Sequence, residues 1–170
     1  PSEMCIRDRS GIVGATTTAA ELGRAFPDVP VVDSSGNHVR ERVDSTPRLI
    51  VATPGAEPTP ESGYACAVIL DAVSSLSRPG LAAVEQTVDR WMAILALVRS
   101  VRDGGRAVIV GPSEDAALQA MVRNDPVGWA TRELADRREA HFPPAVPCGI
   151  VDGDPKAAAT AAQRLREWFG

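Results

Sequence analysis

The chain has 170 residues, of which 44% are hydrophobic, 24% charged and only 4% aromatic. This balance is typical of a folded globular protein and excludes an intrinsically disordered one. The formal net charge of −4 excludes the overall basic surface that many nucleic-acid-binding proteins carry. The longest purely apolar stretch, at residues 91–98, is far shorter than the roughly 20 residues of a membrane span. We therefore expect a cytoplasmic protein with no membrane partner.

The basic residues exclude one common nucleotide-binding motif. Of the 18 basic residues, all except Lys156 are arginine. A Walker A loop needs a lysine that follows a glycine-rich turn and precedes Ser or Thr, whereas Lys156 lies in the sequence Gly-Asp-Pro-Lys-Ala. The chain therefore contains no P-loop.

The amino-terminal segment and the cysteines give further predictions. Residues 1–10 differ from the rest in composition and pattern and resemble a translated sequencing adaptor, so we predict a non-native segment there. This segment includes Cys5. Cys66 and Cys148 each lie in an apolar run, which predicts two buried, reduced thiols. Because the sequence has neither a Cys-x-x-Cys pair nor a His-Glu-x-x-His motif, we predict no metal site.

In the first half of the chain, short apolar runs alternate with helical and turn patterns. A capping box from Thr18 to Glu21 predicts the start of a helix that ends before Pro27. Residues 53–63 contain three prolines and two glycines, which predicts no regular structure. A turn is predicted at residues 33–37. Apolar runs predict strands at residues 29–32, 49–52, 66–70, 107–110 and 149–151.

The second half is predicted to be mainly helical. The clearest helix is at residues 81–101, where apolar residues that include Trp91 recur at three- and four-residue steps. Ser113 is predicted to cap a helix that runs to residue 122. Asp-Pro pairs at residues 125–126 and 154–155 predict two further helix starts.

The alternation of strands and helices predicts an α/β domain with a mostly parallel sheet and helices on both faces. The proline-rich residues 142–147 predict a rigid, extended connector and hence a domain boundary. We therefore predict one domain at residues 11–141 and the start of a second at residues 142–170. One strand and one helix cannot bury a core, so the second domain is predicted to be truncated.

Three stretches carry a family resemblance, which extends over about residues 11–155. The first stretch is residues 17–26. The second is residues 68–85, which contain Val-Ile-Leu-Asp and then Arg-Pro-Gly-Leu-Ala-Ala-Val-Glu. The third is residues 125–144, which contain Arg-Glu-Leu, Arg-Arg and Pro-Pro in that order. They resemble the primosomal protein N′ family of bacterial replication restart helicases, and the composition resembles its actinobacterial branch. The resemblance implies a RecA-like second helicase lobe and the start of a C-terminal DNA-binding domain. ATP, magnesium and zinc would be bound by family regions outside this chain, so no cofactor is expected here.

The chain departs from the family at a motif that completes the ATP site. The family's Gln-x-x-Gly-Arg-x-Gly-Arg motif supplies an arginine to the ATP γ-phosphate. Its two arginine positions fall on Leu97 and Ser100, although Arg99 and Arg102 lie nearby. The apolar periodicity continues through residues 92–102, which predicts continued core helix. The resemblance therefore implies a helicase-derived scaffold with no catalytic residue and no ATPase activity of its own.

The loop after the second strand departs from the family in the same way. Of the family's Gly-Thr-Gln motif only Thr53 remains, and Pro54 and Pro58 lack the N–H donors that phosphates or DNA would use. Asp71 follows a strand, where it is placed either to bind a ligand or to cap the next turn. An alternative function is therefore a small α/β domain that binds a nucleotide or metabolite near Thr53, Asp71 and Gly111.

Local charge suggests where DNA would bind. Residues 78–106 contain more arginines than acidic residues, which is a hint of a DNA-facing edge. Residues 132–139 mix arginines with acidic residues at helix-pair spacings, so a DNA contact and a self-paired solvated face are both possible there. The candidate DNA contacts are Arg78, Arg99, Arg102, Arg132 and Arg138.

The resemblance therefore implies a DNA-binding component of replication restart that acts at stalled or branched forks. Its partners would be forked or single-stranded DNA and other primosome or replication proteins. The alternative within the family is an active, ATP-dependent 3′–5′ DNA helicase in the complete protein.

Overall fold

The computed structural model describes residues 14–149, 151 and 153–169. The chain divides into two compact units, Pro1–Met121 and Val122–Gly170. This division of packing falls inside a helix, and the domain boundary predicted at residue 142 stays a prediction.

Two predictions fall outside the described part of the chain. They are the non-native segment at residues 1–10 and the central residue, Ile150, of the strand predicted at residues 149–151. Within the described ranges, the helices are all too short or too polar to span a bilayer.

Helices and short strands alternate in the first unit. The helices are α1 (Ala15–Ala25), α2 (Ala72–Leu76), α3 (Ala83–Ala96) and α4 (Ala116–Arg123), of which the last ends just beyond the unit. The strands are β1 (Val31–Ser34), β2 (Arg42–Val43), β3 (Leu49–Ala52), β4 (Thr59–Pro60), β5 (Cys66–Ile69) and β6 (Arg106–Ile109). Single 3-10 turns lie at Gly36–His38 and Val101–Asp103. The second unit contains α5 (Pro126–Glu139) and α6 (Pro155–Phe169).

All the described strand pairs are parallel, which confirms the α/β class. β1 pairs with β3, β2 with β4, and β5 with β6, so the sheet is divided into three two-stranded pairs. Val68 and Val108, which are partners in register in β5 and β6, remain 53% and 49% exposed. The RecA-like arrangement stays a prediction.

In the first unit, helix packing buries a small aliphatic core that includes Trp91. α1 packs against β1 and β3, and α2 packs against α3 within the connection from β5 to β6. Trp91 on α3 is only 3% exposed, which confirms its predicted place in the core. Ala72, Val88 and Leu118 are also buried in this unit. Most strand residues are only half-buried, so the helices supply much of the core.

The amino-terminal elements begin at different residues from those predicted. α1 begins at Ala15, with Gly14 as its N-cap, so the capping box predicted from Thr18 to Glu21 is wrong because both residues lie inside the helix. The predicted end is confirmed, since α1 finishes at Ala25, before Pro27. β1 lies two residues later than predicted and includes part of the predicted turn at residues 33–37.

The proline-rich segment contains more regular structure than predicted. Thr59 donates its N–H to the Glu41 carbonyl at 2.9 Å, and Glu61 donates to the Val43 carbonyl at 3.1 Å. Proline at position 60, between these two donors, needs no partner for an N–H, so the segment pairs as a two-residue strand. The prediction of no regular structure at residues 53–63 is therefore wrong at β4.

The largest correction concerns the helix predicted at residues 81–101. α3 ends at Ala96, and the chain then lies along the start of β5. Tyr64 donates its N–H to the Leu97 carbonyl at 2.8 Å, and the Arg99 N–H donates to the Tyr64 carbonyl at 3.0 Å. Continued core helix through residues 92–102 is therefore wrong, because strand-like pairing replaces helical hydrogen bonds after Leu97.

Helix capping follows the predicted chemistry, with one change of residue. Asp125 accepts a hydrogen bond from the Gly128 N–H at 2.8 Å, and Asp154 accepts one from the Lys156 N–H at 3.0 Å. Both Asp-Pro helix starts are therefore confirmed. Ser113 does not cap α4 as predicted, because the Asp115 carboxylate accepts from the N–H groups at the start of that helix.

Two further predictions are wrong, namely the burial of Cys66 and Cys148 and the extended connector at residues 142–147. Cys66 and Cys148 are exposed and not buried, in the first case because the side chain shares the open face of β5 with Val68. Trp168, on α6, is 82% exposed. Residues 142–147 form turns rather than an extended connector, with a hydrogen bond from the Val146 N–H to the Phe142 carbonyl.

Candidate nucleic-acid interface

The β5–β6 pair separates the predicted site residues into two groups. Because the strands are parallel, both begin at one edge and both end at the other. We call these the amino edge, at residues 64–66 and 98–106, and the carboxyl edge, at residues 70–72 and 110–111. Arg99 and Arg102 lie at the amino edge, whereas Asp71 and Gly111 lie at the carboxyl edge. The two arginines are therefore not near the strand ends where open α/β sheets usually bind ligands.

A basic loop, defined as residues 99–106, forms the projecting part of the amino edge. The loop leaves the sheet after Val98 and returns at Arg106, whose N–H donates to the Ala65 carbonyl at 3.0 Å. Its base is closed by a hydrogen bond of 2.9 Å from the Gly105 N–H to the Ser100 carbonyl. Short-range hydrogen bonds therefore give the loop a defined shape at the sheet edge.

The side chain of Arg99 is hydrogen-bonded to backbone carbonyls of the segment that precedes β5. Its Nε donates to the carbonyl oxygens of Ser62 at 3.1 Å and Gly63 at 3.0 Å. Gly63 has φ of +77°, and a side chain on it would come within 3.0 Å of the Arg99 Cγ. Arg99 therefore connects the loop to the segment that leads into β5.

The two positions that replace the family's arginines have structural roles. The Leu97 carbonyl accepts the hydrogen bond from Tyr64 that ends α3 against β5. Ser100 caps the 3-10 turn, because its hydroxyl accepts from the Asp103 N–H at 3.3 Å and donates to the Asp103 carboxylate at 2.6 Å. Neither group is free to act on a nucleotide in this arrangement.

All three arginines of the loop are exposed, but Arg102 and Arg106 lack the backbone anchor of Arg99. Neither side chain takes part in a hydrogen bond or ion pair among the residues that the structure describes. Val101, between Ser100 and Arg102, is 88% exposed. Arg106 was not among the arginines selected from the sequence. Its position after Arg99 and Arg102 and before an apolar run could have indicated a cation at the start of a strand. The loop therefore presents positive charge to solvent.

At the carboxyl edge the predicted ligand residues are used for capping and packing. Asp71 accepts a hydrogen bond from the Ser74 N–H at 3.3 Å and so caps α2. A side chain on Gly111 would lie 2.7 Å from Leu118 Cδ1 and 2.9 Å from Ala72 Cβ. The glycine is therefore required for close packing, which explains it without a ligand-binding turn.

Thr53 follows β3, which belongs to a different strand pair, and hydrogen bonds to other residues of the chain hold its loop in place. The Thr53 N–H donates to the Ser34 carbonyl at 3.3 Å, and its own carbonyl accepts from the Ala56 N–H at 2.9 Å. The fully buried Ser34 hydroxyl donates to the Ala56 carbonyl at 2.7 Å and accepts from the Arg40 N–H at 3.0 Å. Several donors and acceptors of the proline-rich loop are thus used inside the protein.

Near this loop, one carboxylate is held in its charged form. Hydrogen bonds from the Ser35 hydroxyl at 2.6 Å and the Thr16 hydroxyl at 2.8 Å lower the pKa of Asp33, and the nearby His38 lowers it further. From the amino-acid sequence, only a turn was predicted at this residue. In the described ranges, no group of three His, Cys, Asp or Glu side chains is arranged to hold a metal ion.

The remaining candidate arginines differ in their surroundings. Arg78 is exposed between α2 and α3. On α5, Arg132 lies 3.9 Å from the Asp125 carboxylate with both groups well exposed, and Arg138 is exposed. Arg137, in contrast, donates to Glu133 and to the Pro143 carbonyl, both at 2.7 Å. Arg132 and Arg137 on α5 are therefore each close to an acidic residue, and the acidic residue is a different one in each case.

Comparison of the amino-acid sequence with known proteins identifies its relatives. No family model and no solved structure matches the chain. The "Probable replication restart protein PriA" of Mycobacterium tuberculosis (strain ATCC 25618 / H37Rv) is 43% identical over 166 residues, which is 95% of this chain and 25% of that protein. The protein of the same name from Mycobacterium leprae is 42% identical over 158 residues, or 93% of this chain and 24% of that protein.

The chain thus spans about a quarter of the length of the curated relatives that it matches. Identity of this level along almost the whole chain is far more specific than the three short stretches that first indicated the family. The resemblance to the primosomal protein N′ family is therefore confirmed, and over nearly its whole length this chain is a homologue of a segment of replication restart protein PriA.

Proposed function

We propose that this chain is a DNA-binding part of the replication restart machinery and acts at stalled or branched forks. The observation that carries the proposal is the 43% identity, over 95% of the chain, to mycobacterial proteins named for replication restart. Forked or single-stranded DNA would be its nucleic-acid partner, and other primosome or replication proteins would bind alongside.

The charge distribution supports a DNA contact at the amino edge of β5–β6. The net charge of the chain is −4, so attraction to DNA needs a local cluster of cations. Exposed Arg102 and Arg106 form such a cluster, and the nearest acidic side chain in the loop, Asp103, is hydrogen-bonded to Ser100. Arg78, Arg132 and Arg138 stay candidate contacts elsewhere on the surface.

We further propose that this segment contributes no catalytic group to ATP hydrolysis. Arg99 has its Nε committed to two backbone carbonyls, and the residues at the family's arginine positions end a helix and cap a turn. The proline-rich loop uses the Thr53 and Ala56 N–H groups internally. These contacts favour a scaffold over the alternative of an active helicase lobe. We propose that ATP, magnesium and zinc are bound by regions of the family outside this chain.

Fluorescence anisotropy with forked DNA and with plain duplex of equal length, over a salt series, tests the DNA-binding proposal. We expect tighter binding to the fork and an affinity that falls steeply with salt, because released counterions drive phosphate binding. Equal and negligible binding to both DNAs would contradict it and favour the metabolite-binding alternative. A saturable rise in the thermal midpoint with a nucleotide or metabolite would support that alternative.

The ATPase proposal needs a separate measurement. In the complete product of the reading frame that encodes this chain, Arg99→Ala and Arg102→Ala should leave any ATP turnover unchanged within twofold. Loss of a turnover well above background in either variant would instead support the active helicase.

A further inference from the structure

We infer that Arg99 is a positioning residue that holds the basic loop in place, and that Arg102 and Arg106 are the residues that contact DNA phosphates. The inference rests on the proposed DNA-binding function and divides the loop's arginines by role. Sequence alone treated Arg99 and Arg102 as equivalent candidates. Their surroundings in the structure are different.

Arg99 is exposed, but unlike the other two arginines of the loop its side chain is anchored to backbone carbonyls. Its Nε is shared between the Ser62 and Gly63 carbonyls at 3.1 and 3.0 Å, and its backbone N–H is bound to the Tyr64 carbonyl. Backbone and side chain therefore both face the strand segment that leads into β5. Three hydrogen bonds therefore connect Arg99 to this segment, which fixes the position at which the loop begins.

The chain passes close to Arg99 at two glycines, Gly63 and Gly105. A side chain on Gly105 would lie 1.9 Å from the Arg99 carbonyl oxygen and 2.5 Å from its carbonyl carbon. These neighbours are backbone atoms, so they cannot move without displacing the loop. A side chain on Gly63 would lie 3.0 Å from the Arg99 Cγ. The loop position therefore depends on Arg99 and on both glycines.

Arg102 and Arg106 have the opposite character. Arg102 follows the highly exposed Val101 in the 3-10 turn, and Arg106 is exposed at the first position of β6. A shallow groove is lined by residues of the loop and by the first residues of β6. The lining residues are Val101, Gly104, Gly105, Arg106, Ala107 and Val108.

This arrangement fits the backbone of a nucleic acid strand. Gly104, one of the lining residues, faces open space, since a side chain on it would meet no other atom within 4 Å. Arg106 lines the groove, and Arg102 lies beside it in the turn. Two guanidinium groups on one loop suit the phosphates of a nucleic acid, because guanidinium forks match phosphate oxygens.

The test measures the salt dependence of forked-DNA binding for variants with matched charge changes. Arg102→Gln and Arg106→Gln should each lower the slope of log affinity against log salt by about 0.7–0.9, the loss of one phosphate contact. Arg24→Gln removes an equally exposed cation from the last turn of α1 and should leave the slope unchanged.

Two further variants separate positioning from charge. Arg99→Lys keeps the positive charge but loses the guanidinium Nε that binds both carbonyls, so it should weaken fork binding several-fold. Gly105→Ala changes no charge, yet it should weaken binding as much as Arg102→Gln, because the displaced loop misplaces Arg102. Gly149→Ala, at a glycine with nothing within 4 Å, is the matched control and should bind normally.

The outcomes are distinguishable. Failure of the wild-type chain to bind any DNA would overturn the proposed function itself. Wild-type binding with unchanged slopes in Arg102→Gln and Arg106→Gln would overturn only the phosphate assignment. Wild-type affinity in Arg99→Lys and Gly105→Ala would overturn the positioning role. Thermal unfolding of every variant identifies any loss caused by misfolding, and Arg102→Gln, an exposed substitution, keeps the test valid if Gly105→Ala does not fold.

Discussion

The two edges of the β5–β6 pair are built from the same strands but use their residues in opposite ways. At the carboxyl edge, Asp71 caps α2 and Gly111 lies tightly against Leu118 and Ala72. At the amino edge, a hydrogen-bonded loop projects from the sheet and presents Arg102 and Val101 to solvent. In open α/β sheets ligands usually bind outside the carboxyl ends of strands. Here the carboxyl-edge residues maintain the fold, and we propose that the opposite edge meets DNA.

The difference teaches that position after a strand is not by itself evidence of a ligand site. Asp71 has a neighbouring N–H to bind, and Gly111 has neighbours that exclude a side chain. The loop at the amino edge has cations whose side chains meet no acidic partner in the described part of the chain. Local contacts therefore decide which edge is available to a partner.

The largest expected contrast comes from truncating one aliphatic side chain at each edge. Leu118 is 5% exposed beside Gly111, so Leu118→Ala should lower the free energy of unfolding by about 2–5 kcal/mol. Val101→Ala in the exposed loop should change it by less than about 0.5 kcal/mol. Chemical denaturation monitored by circular dichroism measures both. Equal losses would mean that the loop is part of the core and would break the comparison.

A smaller effect is expected from the buried hydroxyl that anchors the proline-rich loop. Ser34→Ala leaves the Ala56 carbonyl and the Arg40 N–H without their partner, so it should cost about 1–3 kcal/mol of unfolding free energy. Ser45→Ala, at an exposed serine, is the control and should cost much less. A stable Ser34→Ala variant would show that the loop does not depend on its internal hydrogen bonds.

The smallest of these stability effects separates capping from ligand binding at Asp71. Asp71→Ala should lower the unfolding free energy by about 1 kcal/mol, whereas Asp71→Ser retains a capping oxygen and should restore most of it. Neither change should weaken fork binding measured on the folded fraction. If Asp71→Ser were stable but lost binding to DNA or a nucleotide, the carboxyl edge would be a ligand site after all.

Sequence patterns predicted the elements whose signals are local. The apolar run at Leu49–Ala52 and the Asp-Pro starts of α5 and α6 were confirmed because strand composition and capping depend on neighbouring residues. Trp91 was placed correctly in the core by its periodicity.

The end of α3 could not be predicted in this way. Leu95 and Val98 continue the helical spacing, but Val98 meets Tyr64, which is distant in sequence. The same limit applies to the candidate site. Sequence reasoning found Arg99 and Arg102, yet only the carbonyls of Ser62 and Gly63 distinguish their roles. The exposed Cys66 shows the limit for burial, because an apolar run does not reveal that one face of a strand pair is open.

The most direct test of the central claim places a photo-crosslinking residue at each edge in turn. Benzoylphenylalanine at Val101 samples the basic loop, and the same residue at Val110 samples the carboxyl edge, where the native side chain is also exposed. Irradiation with labelled forked DNA should give crosslinks from position 101 and not from position 110. Crosslinks from position 110 alone, in protein that binds the fork, would contradict the account.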